Sequence, residues 1–238
     1  MPHAFLTARW SHLVLLTFEV PEDLVRAVIP AGVEPDRRQG RTHVTLVALR
    51  MDDIRVVGWR VPGFRMHPQV NLRTYVRRPR DAPGGAGVVF VRQLVPSRLI
   101  AAVARARYGE PFLAAAVEAR VAAAGDAVSV EYRFGLAAPT NRLAVAGSRH
   151  SHLPVPGSLE QYLVERRIGW RTDRRGRLHS FRVEREAWAI REVRSVAYHI
   201  DFATLYGAPW ECLYGAEPVS TIFAVGSDVA VYEPGAET

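Results

Sequence analysis

The sequence contains no lysine: every one of its 31 basic residues is an arginine. Without that amine the chain cannot form a Schiff base through a side chain, hold pyridoxal phosphate in the usual way or build a Walker A loop. Cysteine is nearly absent as well. A lone thiol, Cys212, excludes an internal disulfide and any multi-cysteine zinc or iron–sulfur centre. No run approaches the roughly 18 uncharged apolar residues of a membrane span. The opening "MPHAFLTARW" lacks the basic head and apolar stretch of a signal peptide. The expectation is a cytoplasmic protein without a membrane partner.

Familiar catalytic signatures are missing too. There is no GxSxG, no HExxH and no phosphate-binding GxxxxGK. "GGAG" at Gly84 to Gly87 precedes a strand-like run instead of following one, the wrong order for a dinucleotide loop. No cofactor is expected. His150 and His152 in "HSH" could share a strand face as metal ligands, but no third ligand can be assigned, so no metal site is expected. His12 and His199 sit in apolar strand contexts that suit hydrogen-bonded core histidines, and Cys212 in "PWECLYG" suits a small buried packing residue.

What is present is an ordinary globular composition: 238 residues, 48% hydrophobic and 23% charged. A chain of this length can bury roughly 70% of its unfolded surface, so a large core is available. The net charge of +7 invites a nucleic-acid reading. Its basic clusters are "DRR" at Asp36 to Arg38, "RRPR" at Arg77 to Arg80 and "RRIGWRTDRRGR" at Arg166 to Arg177. Each lies beside a turn signal and reads as a solvated hairpin tip, with no zinc-finger, recognition-helix or RNA-binding signature. Nucleic acid is therefore not the expected partner.

Strand patterns dominate the chain. "SHLVLLTFEV", "THVTLVALRM", "VVFVRQL", "AVSVEYRFGL", "LHSFRVER", "VRSVAYHID" and "VSTIFAV…DVAVY" read as strands. Short helices are expected at "PEDLVRAVIPAG", at "PSRLIAAVARARYG" with Ser97 as cap and Leu99, Ile100, Val103 and Tyr108 near one face, and at "GSLEQYLVERR". No βα alternation is sustained, so one α+β domain over residues 1–238 is the economical reading. The most informative strand is "QVNLRTYVRR". Val70, Leu72, Thr74 and Val76 alternate there with Gln69, Asn71, Arg73 and Tyr75. Side chains of period two leave opposite faces, so the second set lies in one row, facing either solvent or an interior. Downstream, Glu110 and Glu118 share a face of a run rich in alanine, which suits close packing or the floor of a ligand site.

"TARWSHLVLLTFEVP", "QVNLRTYVRRP", "GVVFVRQLVPSRLIAAVARARYGEPF", "GSLEQYLVERR" and "DVAVYEP" together resemble the bacterial YqjF-like family, DUF2071, an uncharacterised group similar to acetoacetate decarboxylase. The resemblance implies a large curved, mainly antiparallel sheet around a central cavity, with a few short outer helices. The decarboxylases carry their reactive lysine in a Gly-Arg-Glu-x-Trp-Gly-x-Pro-Lys-Lys segment. Here the corresponding run is "ARARYGEPFL", with Phe112 in place of the Schiff-base lysine, Leu113 in place of its neighbour and Ala106 in place of the glutamate. A second acidic position of the relatives falls on Gln69. A His-x-Pro-Trp-like element of the YqjF pattern reads "VEREAW", keeping Trp188 and losing the histidine and proline.

If the resemblance holds, Gln69, Asn71, Arg73 and Tyr75 line an interior, and the Arg73 guanidinium there needs Glu110 or an anionic ligand to balance it. The implied function is binding of a small, anionic molecule, with Tyr75, Tyr108 and Phe112 completing the site. In an enzymatic version Glu110 and Arg73 are the catalytic pair for acid–base or electrostatic chemistry on an acidic or carbonyl-containing metabolite. The alternatives are a non-catalytic binding or sensing protein, an internal Arg–Glu pair that only fixes the sheet and, least favoured, a basic nucleic-acid-associated protein.

Overall fold

A computed structural model describes residues 4–60, 66–79, 85–109, 111–173 and 175–232, apart from the side chains at 103, 104 and 106–108. Among the described residues fourteen strands form one sheet. Its long members are β1 (Leu6–Val20), β3 (Thr42–Val56), β5 (Met66–Arg77), β6 (Gly87–Val95), β8 (Ala116–Ala124), β9 (Ala127–Gly135), β10 (Asn141–His152), β12 (Leu178–Arg185), β13 (Ile190–His199) and β14 (Ser220–Tyr232). The short ones are β2 (Glu34–Pro35), β4 (Trp59–Arg60), β7 (Phe112–Ala114) and β11 (Ile168–Thr172). Along the sheet the order is β1-β3-β5-β6-β11-β12-β14-β13-β10-β9-β8.

The sheet closes on itself. β1 pairs antiparallel with β14 from Leu6↔Val231 to Thr17↔Ser220, and the far end of β14 pairs with β12 at Val183↔Val231. The strands β1, β3, β5, β6, β11, β12 and β14 thereby form a closed barrel. The near end of β14 turns to a different neighbour, β13, at Ile190↔Ala224. Gly226 stands where the partner changes, at φ 93°, and a Cβ there would lie 1.9 Å from the Trp10 carbonyl oxygen, so only glycine fits. Beyond β13, strands β10, β9 and β8 make an open arm that ends at β8.

β1, β3 and β5 are buried on both faces because they divide two interiors. Val14, Leu16, Phe18, Val44, Leu46, Ala48, Val70 and Leu72 point to the open arm and meet Val117, Val130, Tyr132, Phe134, Leu143 and Val145 in one apolar core. Leu13, Leu15, Val47, Leu49, Met51 and Tyr75 point the other way, into the barrel. Each fully buried Leu or Val contributes about 1.5–3 kcal/mol, so the apolar core dominates the driving force for folding.

Helices are short and lie outside the strands. α1 (Glu22–Arg26) starts after Pro21; α2 (Arg98–Tyr108) has the Ser97 hydroxyl accepting from the Ile100 N–H at 3.2 Å and Gly109 left-handed at its end. α3 (Leu159–Val164) is capped by Ser158, and α4 (Phe202–Tyr206) precedes a 3-10 turn over Ala208–Leu213. Four local expectations fail. Leu99 is exposed, while Ala101 of the same helix is buried; His199 is exposed on the outer face of β13; and Cys212 is exposed, because Trp210 and Leu213 take the inward positions of its turn. Arg166, expected at a solvated tip, is instead buried against Asp36 at 2.9 Å. Pro83 and Gly84 of the "PGG" tip and the Pro62–Gly63 turn lie outside the described residues.

Candidate site in the barrel interior

β5 sets the site. Its register places Asn71 opposite Val47 and Gln69 opposite Leu49, and both partners belong to the barrel interior, so the polar row faces inward. Gln69, Asn71, Arg73 and Tyr75 are all buried, and Arg73 is only 8% exposed. The row begins one step earlier than expected, at His67, opposite Met51. Burial alone pushes the His67 imidazole down to about 4, so it is neutral near pH 7.

Hydrogen bonding in the row is uneven. Gln69 Nε2 donates to Gln93 Oε1 at 2.9 Å, which joins β5 to β6 across the interior face. The hydroxyls of Thr17, Thr45 and Tyr75 form a chain with spacings of 2.9 and 2.6 Å, so the Tyr75 hydroxyl is engaged with Thr45. Arg73 Nη2 donates to the Leu163 carbonyl at 3.1 Å. Its Nε, and Oδ1 of Asn71, are buried with no protein partner. Unpaired polar atoms this deep cost about 1–3 kcal/mol each, so each calls for a physical reason.

α3 is set against the barrel like a stopper. Leu159, Tyr162, Leu163 and Val164 all pack on the interior cluster. The Tyr162 ring sits 5.3 Å from that of Tyr75, and its hydroxyl donates to the Asp36 carbonyl at 2.7 Å. The Arg166 guanidinium covers the Tyr162 ring at 3.9 Å while pairing with Asp36, so one buried ion pair holds the stopper in place. Burial pushes the Tyr162 phenol well above its ordinary range.

A second guanidinium enters from β12. Phe181, Val183 and Arg185 alternate along that strand, and Phe181 and Val183 pack in the barrel cluster. Arg185 lies 3.7 Å over the Trp188 ring, donates to the carbonyls of Val164 and Glu186, and reaches Glu165 at 3.5 Å. Burial brings its pKa down to about 10; Arg167 and Arg73 push the same way, and Glu165 opposes them. Arg185 therefore stays charged at neutral pH and feels the charge of Arg73. Among the described residues Arg73 has no carboxylate partner, and Glu165 is shared between Arg185 and Arg167. The local balance is positive and enclosed. The wall beside it is flat and apolar: Phe90 and Phe181 stack at 6.4 Å and 4°, with the Phe181 ring lying across Gly169, where a Cβ would come within 2.1 Å of it.

Of the residues singled out from the sequence, Gln69, Asn71, Arg73 and Tyr75 come together. Phe112 pairs with Gln93 from β7, on the sheet face that carries Asn71. Tyr108 ends α2 with its side chain outside the described part, and Glu110 lies outside the described residues. Sequence reasoning missed His67, Gln93, Arg185 and the Phe90–Phe181 wall. The period-two set Phe181, Val183 and Arg185 was a usable signal, and Arg185 occupies the place three before Trp188 where the related element has histidine.

Other features lie apart from this interior. His150 and His152 are exposed, and among the described residues no group of three or more His, Cys, Asp or Glu gathers as a metal site. A groove of about 440 Å³ runs over the solvent face of the open arm, lined by Arg120, Ala122, Ser129, Glu131, Ala144 and Ser195 among others. No described helix is long and apolar enough to cross a membrane.

Residues 7–229 match the model of DUF2071, whose description is an uncharacterized conserved protein. A stretch of 104 residues is 27% identical to the uncharacterized protein YqjF of Bacillus subtilis, covering 43% of this chain and 41% of that relative, so the match spans about two fifths of the relative's length. Solved structures agree over nearly the whole chain. An acetoacetate decarboxylase from Legionella pneumophila superposes with TM-score 0.63 at 15% identity, covering 99% of this chain and 88% of its own. An acetoacetate decarboxylase-like enzyme from Sphingomonas wittichii RW1 gives 0.62 at 11%, covering 98% and 94%. The enduracididine biosynthesis enzyme MppR, complexed with pyruvate, gives 0.62 at 11%, covering 100% and 90%. At these identities the likeness establishes the fold: the large, mostly antiparallel acetoacetate decarboxylase-like sheet with few short helices.

Proposed function

The chain belongs to the DUF2071 family, and from that premise we propose that it binds a small anionic molecule inside the barrel, held by Arg73 and Arg185. One observation carries this reading: two mutually repelling guanidiniums are buried in one interior, and Arg73 has no acid to balance it among the described residues. A carboxylate would accept from the unpaired Arg73 Nε in the fork geometry that guanidinium favours. Asn71 and Gln69 orient its remaining atoms. Phe90, Phe181 and Phe112 supply the apolar wall against which the rest of the ligand packs. Pyruvate in MppR, a carboxylate within the same fold, is in keeping with this ligand class.

A side-chain Schiff base is closed to this chain, which has no lysine. In a catalytic form of the proposal the ligand is an acidic or carbonyl-containing metabolite. The guanidiniums then stabilise developing negative charge, and Glu110 is the acid that exchanges the proton. In a non-catalytic form the same interior senses the ligand. A nucleic-acid role finds less support, because many surface arginines are matched by carboxylates, as in Arg37–Glu22, Arg41–Glu19 and Arg77–Glu34.

Thermal unfolding in the presence of a panel of small carboxylic acids tests the proposal. A fitting acid raises the melting temperature of the wild type and not of Arg73→Met. A panel without effect on the wild type, or an equal effect on the variant, contradicts it. Incubating the responding acid with the protein and assaying its consumption then separates enzyme from sensor.

A further inference from the structure

Among the described strands β8 is an edge strand. It pairs with β9 in unbroken register from Ala116↔Gly135 to Ala124↔Ala127, and the sheet ends there. Free edges invite pairing with another chain and are ordinarily blunted by charged side chains, proline, a bulge or a covering segment. Across Ala116–Ala124, "AVEARVAAA", there is no proline and no bulge. Residues 120–124 are exposed, Val121 among them at 36%.

Its two charges are also spare. Glu118 and Arg120 stand two residues apart on the solvent face and are exposed. The cross-strand neighbour of Arg120 is Glu131, but both oxygens of that carboxylate are already taken, by Arg133 at 2.8 Å and Arg142 at 2.7 Å. Among the described residues neither Glu118 nor Arg120 makes an ion pair or side-chain hydrogen bond.

We propose that β8 pairs antiparallel with β8 of a second copy of this chain, centred on Ala119. In that register Glu118 lies opposite Arg120 of the other copy, and the symmetry makes the pairing twice over. Val117 and Val121 meet on the opposite face, covering the exposed valine. The small side chains at Ala116, Ala119 and Ala122 leave room for the two backbones to reach ladder distance. Opposite charges directly across an antiparallel pair attract, and like charges there repel, so the register is self-selecting.

Sedimentation of the full chain at tens of micromolar tests this. The wild type sediments as a species of twice the 26.5 kDa chain mass. Arg120→Glu places glutamates opposite glutamates and Glu118→Arg places arginines opposite arginines, so each variant alone dissociates about tenfold more readily or worse. Mixed in equal amounts, the two variants complement each other and the double-mass species returns, which misfolded chains could not produce. A monomeric wild type, a single variant that dimerises as well as the wild type, or a mixture that stays monomeric overturns the proposal.

Discussion

The two interiors on either side of β5 are built from the same strand and obey different rules. Val70 and Leu72 look into the open arm, where the lining is apolar; the Tyr132 hydroxyl there donates to the His12 carbonyl at 2.7 Å, and the Tyr206 hydroxyl is buried without a protein partner. Gln69, Asn71 and Arg73 look into the barrel, where guanidinium and amide atoms remain unpaired. The first side leaves a neutral phenol unpaired, a small departure from what folding alone demands. The second carries desolvation costs that folding does not require, and such departures mark sites of function. The barrel interior, where the unpaired atoms include one of a buried guanidinium, is therefore the site proposed for the ligand.

That contrast can be broken from the apolar side with the largest effect. Leu72→Ala empties a position with no exposure and is expected to lower unfolding free energy by about 2–5 kcal/mol in urea titrations. The neighbouring Arg73→Met, which keeps volume and removes a buried charge, is expected to leave the ligand-free protein within about 1 kcal/mol of wild type or to stabilise it. An equal loss at both positions would erase the distinction between the two faces.

Ligand sharpens the comparison next. An acid at about 100 times its dissociation constant adds roughly 2.7 kcal/mol to the wild type, and this increment disappears in Arg73→Met and in Arg185→Met. In Leu72→Ala the increment persists on a lower baseline, since that side chain faces away from the barrel.

Acidity gives a smaller effect. His67 titrates near 4 in the folded protein and near 6.5 when unfolded, so between those values the unfolded chain binds the extra proton. Stability is complete above about 6.5, falls as pH drops toward 4 by at most about 1.4 kcal/mol per pH unit, and stops falling once both states are protonated. His12 and His43 are lowered too, mainly by burial, and act in the same direction. His67→Gln should flatten the curve in part; a curve of unchanged steepness would remove His67 from the account.

The smallest effect concerns the stopper. Ser158 accepts from the Gln161 N–H at 3.1 Å, and Ser158→Ala is expected to cost about 1 kcal/mol or less of global stability while raising amide exchange at 159–164. Ser97→Ala on α2 should cost as much and leave those amides alone.

How far the sequence disclosed this arrangement depends on the range of each interaction. The β5 row was legible because alternation is a local property, and so was the cap Ser97. The fold became visible through resemblance and not through pattern. Closure of the barrel rests on β1–β14 pairing between the two ends of the chain, which no local period encodes. The same non-locality hid Arg185, brought beside Arg73 only by closure, and Arg166, which reads as one more charge in a basic cluster until Asp36 is folded onto it. His199 and Cys212 misled for a simpler reason. Apolar neighbours in sequence say that an element is buried on some side, without saying which side a given residue takes.

Nuclear magnetic resonance of arginine Nε–H groups reads the central claim most directly, with Arg73→Met assigning the key signal. On adding a carboxylate that stabilises the protein, the Arg73 and Arg185 resonances are expected to shift together and saturably, while exposed groups such as Arg9 stay in place. If those two signals remain unmoved when the stabilising acid saturates, or move no more than the surface arginines, the barrel interior is not an anion site.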